Sequence, residues 1–448
     1  MRNRIRALVA QFSTLLLLTW LASPCLGAQT ESVLYTFRGL EDGGVPYAGL
    51  VMDKAGNLYG TTSQYGNPAC TFPDAGCGTV FELIPAKQQS SLPWVYKVIY
   101  TFQGGEDGND PSSTLVFDEA GNLYGTTVFG GTGCGGTGCG TVFELQRDGN
   151  GWKESVLYRF TGEADGEDPL GALALDKVGN LYGSTAYGGD ANCYYIGTGC
   201  GVVFQLKRPE KEGEGWTEKV LHTFTGGDGA DPFVGVTLDA AGNIYGVTAL
   251  GGQGQGGSSG GVVFSLRGAL GTSAWIESTL YEFPELQGNP AGPLILDKDG
   301  NLYGVTEVGG EYGVGSVFEL KRPMLGNSAW TETDLYSFPG PPDGWFPLYS
   351  GVVFDQTGKL YGTTMEGGAS ANCQTHCGTI FQLTNSGNFW EETGLFSFMG
   401  GAEGFYPFNG VILDSKGNVY GMTPNGGDPN CTAFTQPGCG VIFRISRF

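Results

Sequence analysis

Apolar residues along this chain fall into short bursts rich in Val, Leu, Tyr, Phe and Thr, each closed by Gly, Asp or Pro. Four kinds of burst follow one another in fixed order and then begin again. The first reads V-L-Y-T-F or a close variant, at 33–37, 98–102, 156–160, 220–224, 279–283, 334–338 and 394–398. The second is L-V-x-D-like and ends at Asp53, Asp118, Asp176, Asp239, Asp297, Asp355 or Asp414. The third reads N-L-Y-G-T-T, in the runs 56–62, 121–127, 179–185, 242–248, 300–306, 358–364 and 417–423. The fourth is G-T-V-F-E-L-like, at 78–83, 140–145, 201–206, 261–266, 315–320, 378–383 and 440–444. Bursts of this length and composition predict strands. The D-x-x-G-N between second and third predicts a tight hairpin, with Gly where φ must be positive.

The seven aspartates stand 58 to 65 residues apart, so the chain holds seven copies of one four-stranded unit. Four antiparallel strands repeated radially leave only short, protected sheet edges. The predicted fold is therefore all-β, a seven-bladed β-propeller of four-stranded blades over residues 29–448. An open solenoid would need polar capping repeats, and none is visible. With V-L-Y-T-F outermost in each blade, Val33–Phe37 would complete a last blade whose other three strands come from the C-terminal end. A Trp lies four residues ahead of this strand in six copies (Trp94, Trp152, Trp216, Trp275, Trp330, Trp390). A position repeated so regularly reads as blade-edge packing.

Composition agrees. Gly reaches 80 of 448 residues without a three-residue period, which excludes collagen, and 21 Tyr, 27 Phe and 8 Trp exclude a disordered chain. Residues 1–28 differ from the rest: Arg2, Arg4 and Arg6 precede an apolar run around Leu15–Leu18, and Gly27 and Ala28 offer a cleavage site. This is the pattern of a secretory signal peptide, too short in its apolar part for a spanning anchor. Its loss removes three positive charges and no negative ones, taking the net charge from −22 to −25. Such a balance argues against nucleic acid and anionic membranes, and it favours cations, cationic partners or neutral glycans.

Cys25 leaves with the signal segment. The other ten cysteines form five local pairs, Cys70/Cys77, Cys134/Cys139, Cys193/Cys200, Cys373/Cys377 and Cys431/Cys439, each in the loop before a fourth strand. Copies four and five lack both members together, with Gly260 and Val314 at the second position, as disulfides require. The expected compartment is oxidising, either outside the cell or in a periplasm.

The composite pattern V-L-Y-x-F, D-G-x-x-P, D-x-x-G-N-L-Y-G-T-T and C-G-T-V-F-E-L resembles the GloVer tandem-repeat family of bacterial secreted or surface proteins, over essentially the whole chain after the signal. The resemblance implies a repeat protein of unknown function; relatives carry varied C-terminal anchors, whereas this chain ends within a strand at Phe448, which implies release. The D-turn-G-N-L-Y hairpin is similar to the inner hairpin of NHL-type propellers.

Candidate chemistry concentrates in the D-G-x-x-P loops, which should share one face with the cystine loops. That face carries dense carboxylates, among them Asp107, Asp110, Asp165, Glu167, Asp168, Asp228 and Asp231. Asp107, Asp165 and Asp228 are the candidate Ca²⁺ ligands; the competing reading is turn geometry. No other cofactor is implied. Positions that break the sevenfold symmetry are stronger candidates for a ligand site. D-G-W-F-P and E-G-F-Y-P supply Asp343, Trp345, Phe346, Glu403, Phe405 and Tyr406, and Tyr47 lies next around the ring. Aromatics beside carboxylates can stack sugar rings. Of the two His, His222 replaces a strand Tyr and His376 lies in a cystine loop; no G-x-S-x-G, H-E-x-x-H or P-loop occurs. The sequence therefore favours a monomeric, non-catalytic binding module for an extracellular glycan, cation or protein. A polysaccharide hydrolase or lyase using the same carboxylates is the alternative, and a purely structural surface protein the third.

Overall fold

Every N-L-Y-G-T-T strand has its glycine opposite the Phe of the strand beside it, as in Gly60 against Phe81. A Cβ on Gly60 would stand 2.7 Å from Cζ of that ring, so only glycine lets the ring lie flat over the strand. The same fit recurs at Gly125, Gly183, Gly246, Gly304, Gly362 and Gly421. The computed structural model describes residues 30–70, 76–86, 94–149, 151–193, 199–211, 213–253, 260–285, 288–323, 329–387, 389–433 and 436–446. The signal-peptide expectation, residues 1–28, lies outside them.

The strands form seven four-stranded antiparallel blades. Blade one runs from the channel outward as Val51–Met52, Leu58–Thr62, Thr79–Pro85 and Trp94–Thr101. Blades two to six repeat this order from 116, 174, 236, 295 and 353. Blade seven takes Ile412–Leu413, Val419–Thr423 and Val441–Ser446 from the C-terminal end, and its outermost strand is Thr30–Thr36. Thr30 pairs with Ser446 and Thr36 with Val441, so the ring closes as the sequence predicts. The innermost strand is shorter than expected, two or three residues in every blade. The inner edges converge on the channel, where adjacent backbones touch: a Cβ on Gly171 would lie 2.1 Å from the nitrogen of Gly235. Such crowding ends regular pairing early.

One aromatic contact joins each blade to the next. The last Phe of an outer strand meets the third-strand Phe of the following blade edge to face: Phe102–Phe143 at 5.1 Å, and likewise Phe160–Phe204, Phe224–Phe264, Phe283–Phe318, Phe338–Phe381 and Phe398–Phe443. Phe37–Phe81, at 5.6 Å, makes the same joint across the closure. The repeated Trp packs one layer down, as in Trp152 on Tyr59 and Trp275 on Tyr182. Stacked and edge-to-face rings add about 0.5–1.5 kcal/mol per pair to the area they bury. The D-x-x-G-N aspartate is wholly used by its own hairpin. Asp53 accepts the N–H of Ala55 at 2.8 Å and of Asn57 at 2.9 Å, and its other oxygen accepts the Asn57 amide and the Tyr59 hydroxyl.

All five cysteine pairs are disulfides: Cys70–Cys77, Cys134–Cys139, Cys193–Cys200, Cys373–Cys377 and Cys431–Cys439. They face the loops leading into the following blades: a Cβ on Gly104 would meet Cys77 Sγ, and one on Gly39 would meet Cys431 Sγ. Cystine loops and D-G-x-x-P loops thus share a face. One half of each bridge is withdrawn from its surface. The second cysteine of every pair, Cys77, Cys139, Cys200, Cys377 or Cys439, is buried in the core between two blades. Cys139, Cys377 and Cys439 are wholly shielded, because each directly precedes the buried third strand of its blade and is drawn in with it. Sequence pairs these residues correctly; the second cysteine of each pair belongs to the frame, while Cys70, Cys134 and Cys373 stay partly exposed. Among the described residues no helix is long and apolar enough to cross a membrane.

Candidate functional site

The residue before the loop proline has positive φ in all seven blades: Val45 58°, Asp110 60°, Asp168 57°, Asp231 61°, Asn289 60°, Phe346 51° and Tyr406 59°. Asn and Asp tolerate this region; Val, Phe and Tyr do so at a cost of about 1–2 kcal/mol. Backbone contacts hold it. The N–H of each donates to a carbonyl of the preceding blade, for example Asp110 to Cys77, Asp168 to Cys139, Asp231 to Cys200, Tyr406 to Cys377 and Val45 to Cys439. In six blades its own carbonyl accepts an N–H from just beyond the second strand, as Asp168 does from Ala186. The seventh has Pro424 there, which has no N–H to give. These residues form one rung around the channel mouth, its backbone fixed whatever the side chain.

The side chains on that rung are asymmetric. Blades two, three and four carry Asp110, Asp168 and Asp231, blade five carries Asn289, and blades six, seven and one carry Phe346, Tyr406 and Val45. Burial, with the charges of Glu167, Asp110 and Asp231, pushes Asp168 from 3.8 to about 7. Burial alone raises Asp231 to about 7. Asp110 accepts a hydrogen bond from the Ser112 hydroxyl.

Just beneath this rung lies a cavity of about 360 Å³ to which all seven blades contribute, from Tyr47, Asp110, Leu170, Phe233, Pro293, Tyr349 and Phe408 among others. One wall is a chain of rings. Phe233 meets Tyr349 edge to face at 4.8 Å, Tyr349 stacks on Phe408 at 4.9 Å and 22°, and Phe408 meets Tyr47 at 5.0 Å. The Tyr349 hydroxyl is pushed up to about 12 by burial and by the charges of Asp231 and Glu307. Ring surface and the Asp110 carboxylate therefore share the lining of one cavity, with Asp168 and Asp231 on the same rung.

The candidates from sequence are distributed differently. Tyr47 lines the cavity. Phe346 and Tyr406 stand on the rung, and the Tyr406 hydroxyl lies 3.3 Å from Thr375 Oγ1. Trp345 is stacked on Phe346 at 5.1 Å, and its indole nitrogen is buried without a partner. Phe405 is only 5 % exposed and belongs to the core between blades six and seven. Asp343 accepts the Tyr336 hydroxyl and the N–H of Gly344 at 2.6 Å. Glu403 sits in the short turn Gly401–Glu403, close enough to Glu31 to raise it.

The three aspartates considered for Ca²⁺ play the same part as Asp343. Asp107 accepts the Tyr100 hydroxyl and the Gln103 N–H, both at 2.6 Å. Asp165 accepts the Tyr158 hydroxyl and the Thr161 N–H at 2.9 Å each. Asp228 pairs with His222 Nε2 at 3.0 Å, so His222 fills the position of the strand Tyr. Each carboxylate is turned toward the outer strand before it, and among the described residues no group of three His, Cys, Asp or Glu side chains converges to hold a metal. Phe233, Tyr349 and Phe408 were not among the sequence candidates. Their signal is positional: Tyr47, Phe233 and Phe408 directly follow the loop proline, and Tyr349 comes one residue later.

Seven copies, seven blades and a shared rung describe one repeat family. The profile of the Gloeobacter/Verrucomicrobia repeat matches residues 73–284 and 254–447. The chain belongs to that family. No curated protein is significantly similar to this Gloeobacter/Verrucomicrobia repeat protein. Solved structures resemble it at low identity and low structural overlap. A glucose dehydrogenase is 14% identical with a TM-score of 0.43, over 94% of this chain and 100% of that one. A hypothetical selenium-binding protein from Sulfolobus tokodaii is 12% identical with a TM-score of 0.46, over 75% and 78%. A protein of unknown function from Dyadobacter fermentans is 12% identical with a TM-score of 0.42, over 94% and 100%. At these values none of them bears on what this repeat protein does.

Proposed function

We propose that this is an exported, monomeric, non-catalytic binding propeller that takes its ligand at the channel mouth on the cystine-loop face. The observation that carries the reading is the cavity of about 360 Å³ lined by the ring chain Phe233–Tyr349–Phe408–Tyr47 and by Asp110 of the rung. Ligand sites are concave and mostly apolar, with a few convergent polar groups, and roughly 300–1,000 Å³ in volume. Five disulfides support folding in an oxidising compartment, and the N-terminal signal pattern supports export. The outer candidates Trp345 and Phe346 flank the mouth and would extend a stacking surface toward a larger glycan or protein.

The second reading is a polysaccharide hydrolase or lyase. It is favoured by Asp168 and Asp231, both raised to about 7 and so able to hold a proton near neutral pH as a general acid must. A thermal-shift and glycan-array screen, run beside an activity screen on plant and bacterial polysaccharides, separates the two. Stabilisation or binding without turnover, abolished in Tyr349→Ala, supports the binding propeller. Turnover that survives purification and disappears in Asp231→Asn overturns it.

A further inference from the structure

The channel-mouth cavity has walls of two unlike kinds, and together they select a chemistry. Tyr349 and Phe408 stack on each other and are flanked edge-on by Phe233 and Tyr47, so ring surface dominates one side. Asp110 lines the other side, with Asp168 and Asp231 on the same rung of the next two blades. We propose that the ligand is an organic cation with an apolar body, an alkyl- or quaternary-ammonium group held between the aromatic wall and the rung aspartates of blades two to four. This rests on the channel-mouth reading and names the chemistry it selects.

Three observations lead there. Every influence of a neighbouring group on Asp168 is a negative charge, so the arc repels itself and any cation entering it relieves that repulsion. A small inorganic ion is a poor match, since a hard cation needs several oxygens at bonding distance and no such group converges among the described residues. A bulky ammonium needs no coordination shell; it gains from carboxylates several ångströms away and from the negative faces of aromatic rings. A neutral polyol is also a poor match. Two hydroxyls beside Asp110 are already drawn on, the Ser112 hydroxyl given to Asp110 and Thr114 Oγ1 accepting the Gly49 N–H at 2.8 Å, which leaves a polyol fewer partners there.

Titration calorimetry on the whole protein at about pH 8 tests this with three probes: choline, its neutral carbon isostere 3,3-dimethyl-1-butanol, and a neutral oligosaccharide. Choline should bind at least about tenfold more tightly than the isostere, the difference being the charge alone. Asp231→Asn should weaken choline about tenfold and leave the isostere unchanged. Tyr349→Ala should abolish choline binding, and Tyr349→Phe, which keeps the stacked ring and so the packing, should retain it. Equal binding of choline and its isostere, no binding of choline, or choline binding indifferent to both Asp231→Asn and Tyr349→Ala overturns the cation. An oligosaccharide bound in a Tyr349-dependent way while choline fails overturns the cation and leaves the channel-mouth site standing. An oligosaccharide that binds Tyr349→Ala as well as wild type, with choline failing, overturns both.

Discussion

Raising the pH from about 5 to about 8 should destabilise this ring, and the cause can be removed by substitution. A glutamate in the outer strand of five blades is half-buried against the loop that follows the preceding blade: Glu31, Glu154, Glu218, Glu332 and Glu392. Burial, with nearby acids such as Glu403, Asp107, Asp165, Asp334 and Asp343, pushes each from 4.5 to about 7. A pKa raised on folding means that the native state holds more protons than the unfolded chain between these two values. Stability is then full below about pH 4.5 and falls as pH rises through 7. At about 1.4 kcal/mol per unit the shift is worth ~3 kcal/mol per glutamate, and solvent around half-exposed groups reduces this to about 1 kcal/mol. Replacing all five by Gln should therefore gain about 5 kcal/mol at pH 8 and markedly less at pH 5. Unfolding entropy near 2.1 cal/mol/K per residue, over roughly 400 residues, converts that to about 5–6 °C in Tm. Scanning calorimetry of wild type and the five-fold variant at both pH values decides the matter. A gain of equal size at pH 5 and pH 8, or a loss at pH 8, would refute the reasoning.

The acid limb belongs to other groups. Asp239 is held below the usual carboxylate range: burial pushes it up, and hydrogen bonds from Asn243, Ala241 and Tyr245 outweigh that, so its contribution is lost as pH falls below about 4. Asp239→Ala should cost about 2–3 kcal/mol, read as a Tm about 3 °C lower at pH 7. Removing Cys193 and Cys200 together as Ser opens a link between residues seven apart and should cost about 2.5 kcal/mol in the chain-entropy view. Mass spectrometry after alkylation of the unfolded, unreduced chain should find none of the ten paired cysteines modified. Deleting residues 30–36 strips the outer strand from blade seven and exposes the edge of Val441–Ser446. The truncated chain should lose stability and self-associate, and a synthetic peptide of that strand should restore the lost Tm; a truncation without effect would contradict closure.

The fold was legible because its determinants are local and repeated. Each Asp of D-x-x-G-N fixes its own hairpin, each strand Gly faces its own Phe, and each cysteine pair closes a loop of 4 to 8 residues. The site was only partly legible, because two kinds of acid occupy the same ten-residue loop. Asp107, Asp165 and Asp343 turn toward the Tyr seven residues earlier, whereas Asp110, Asp168 and Asp231, three residues further on in blades two to four, stand on the rung. Composition cannot separate them, yet pairing across the strand could have. Where Phe396 replaces the Tyr, Glu403 replaces the Asp; where His222 replaces it, Asp228 stays and bonds the ring. Where the loop before Pro290 lacks the acid, the Tyr281 hydroxyl turns to Glu332 at 3.4 Å. Beyond Tyr47 the aromatic wall was missed, because Phe233 and Phe408 share with it a column after the proline that is Ser, Leu or Ala in other blades, and an apolar column reads as core.

A rung whose backbone N–H is bound to the preceding blade in all seven places makes a sharp separation of frame from lining, and Asp168 tests it. If this carboxylate were there for the fold, neutralising it would weaken the protein. Its surroundings say the reverse: burial and three neighbouring acids disfavour its charge, and its N–H and C=O are bound whatever the side chain. Asn accepts positive φ as readily as Asp, so Asp168→Asn changes charge and little else. The full shift from 3.8 to about 7 corresponds to ~4 kcal/mol, of which about 2 kcal/mol survives screening at this partly open mouth. The variant should melt about 2 °C higher at pH 8 and no differently at pH 3, where the carboxyl is protonated in both states. Strain of this kind persists at sites kept for binding rather than for stability. A lower Tm for Asp168→Asn at pH 8 would instead assign the acid arc to the frame and leave the cavity below it without its charged wall.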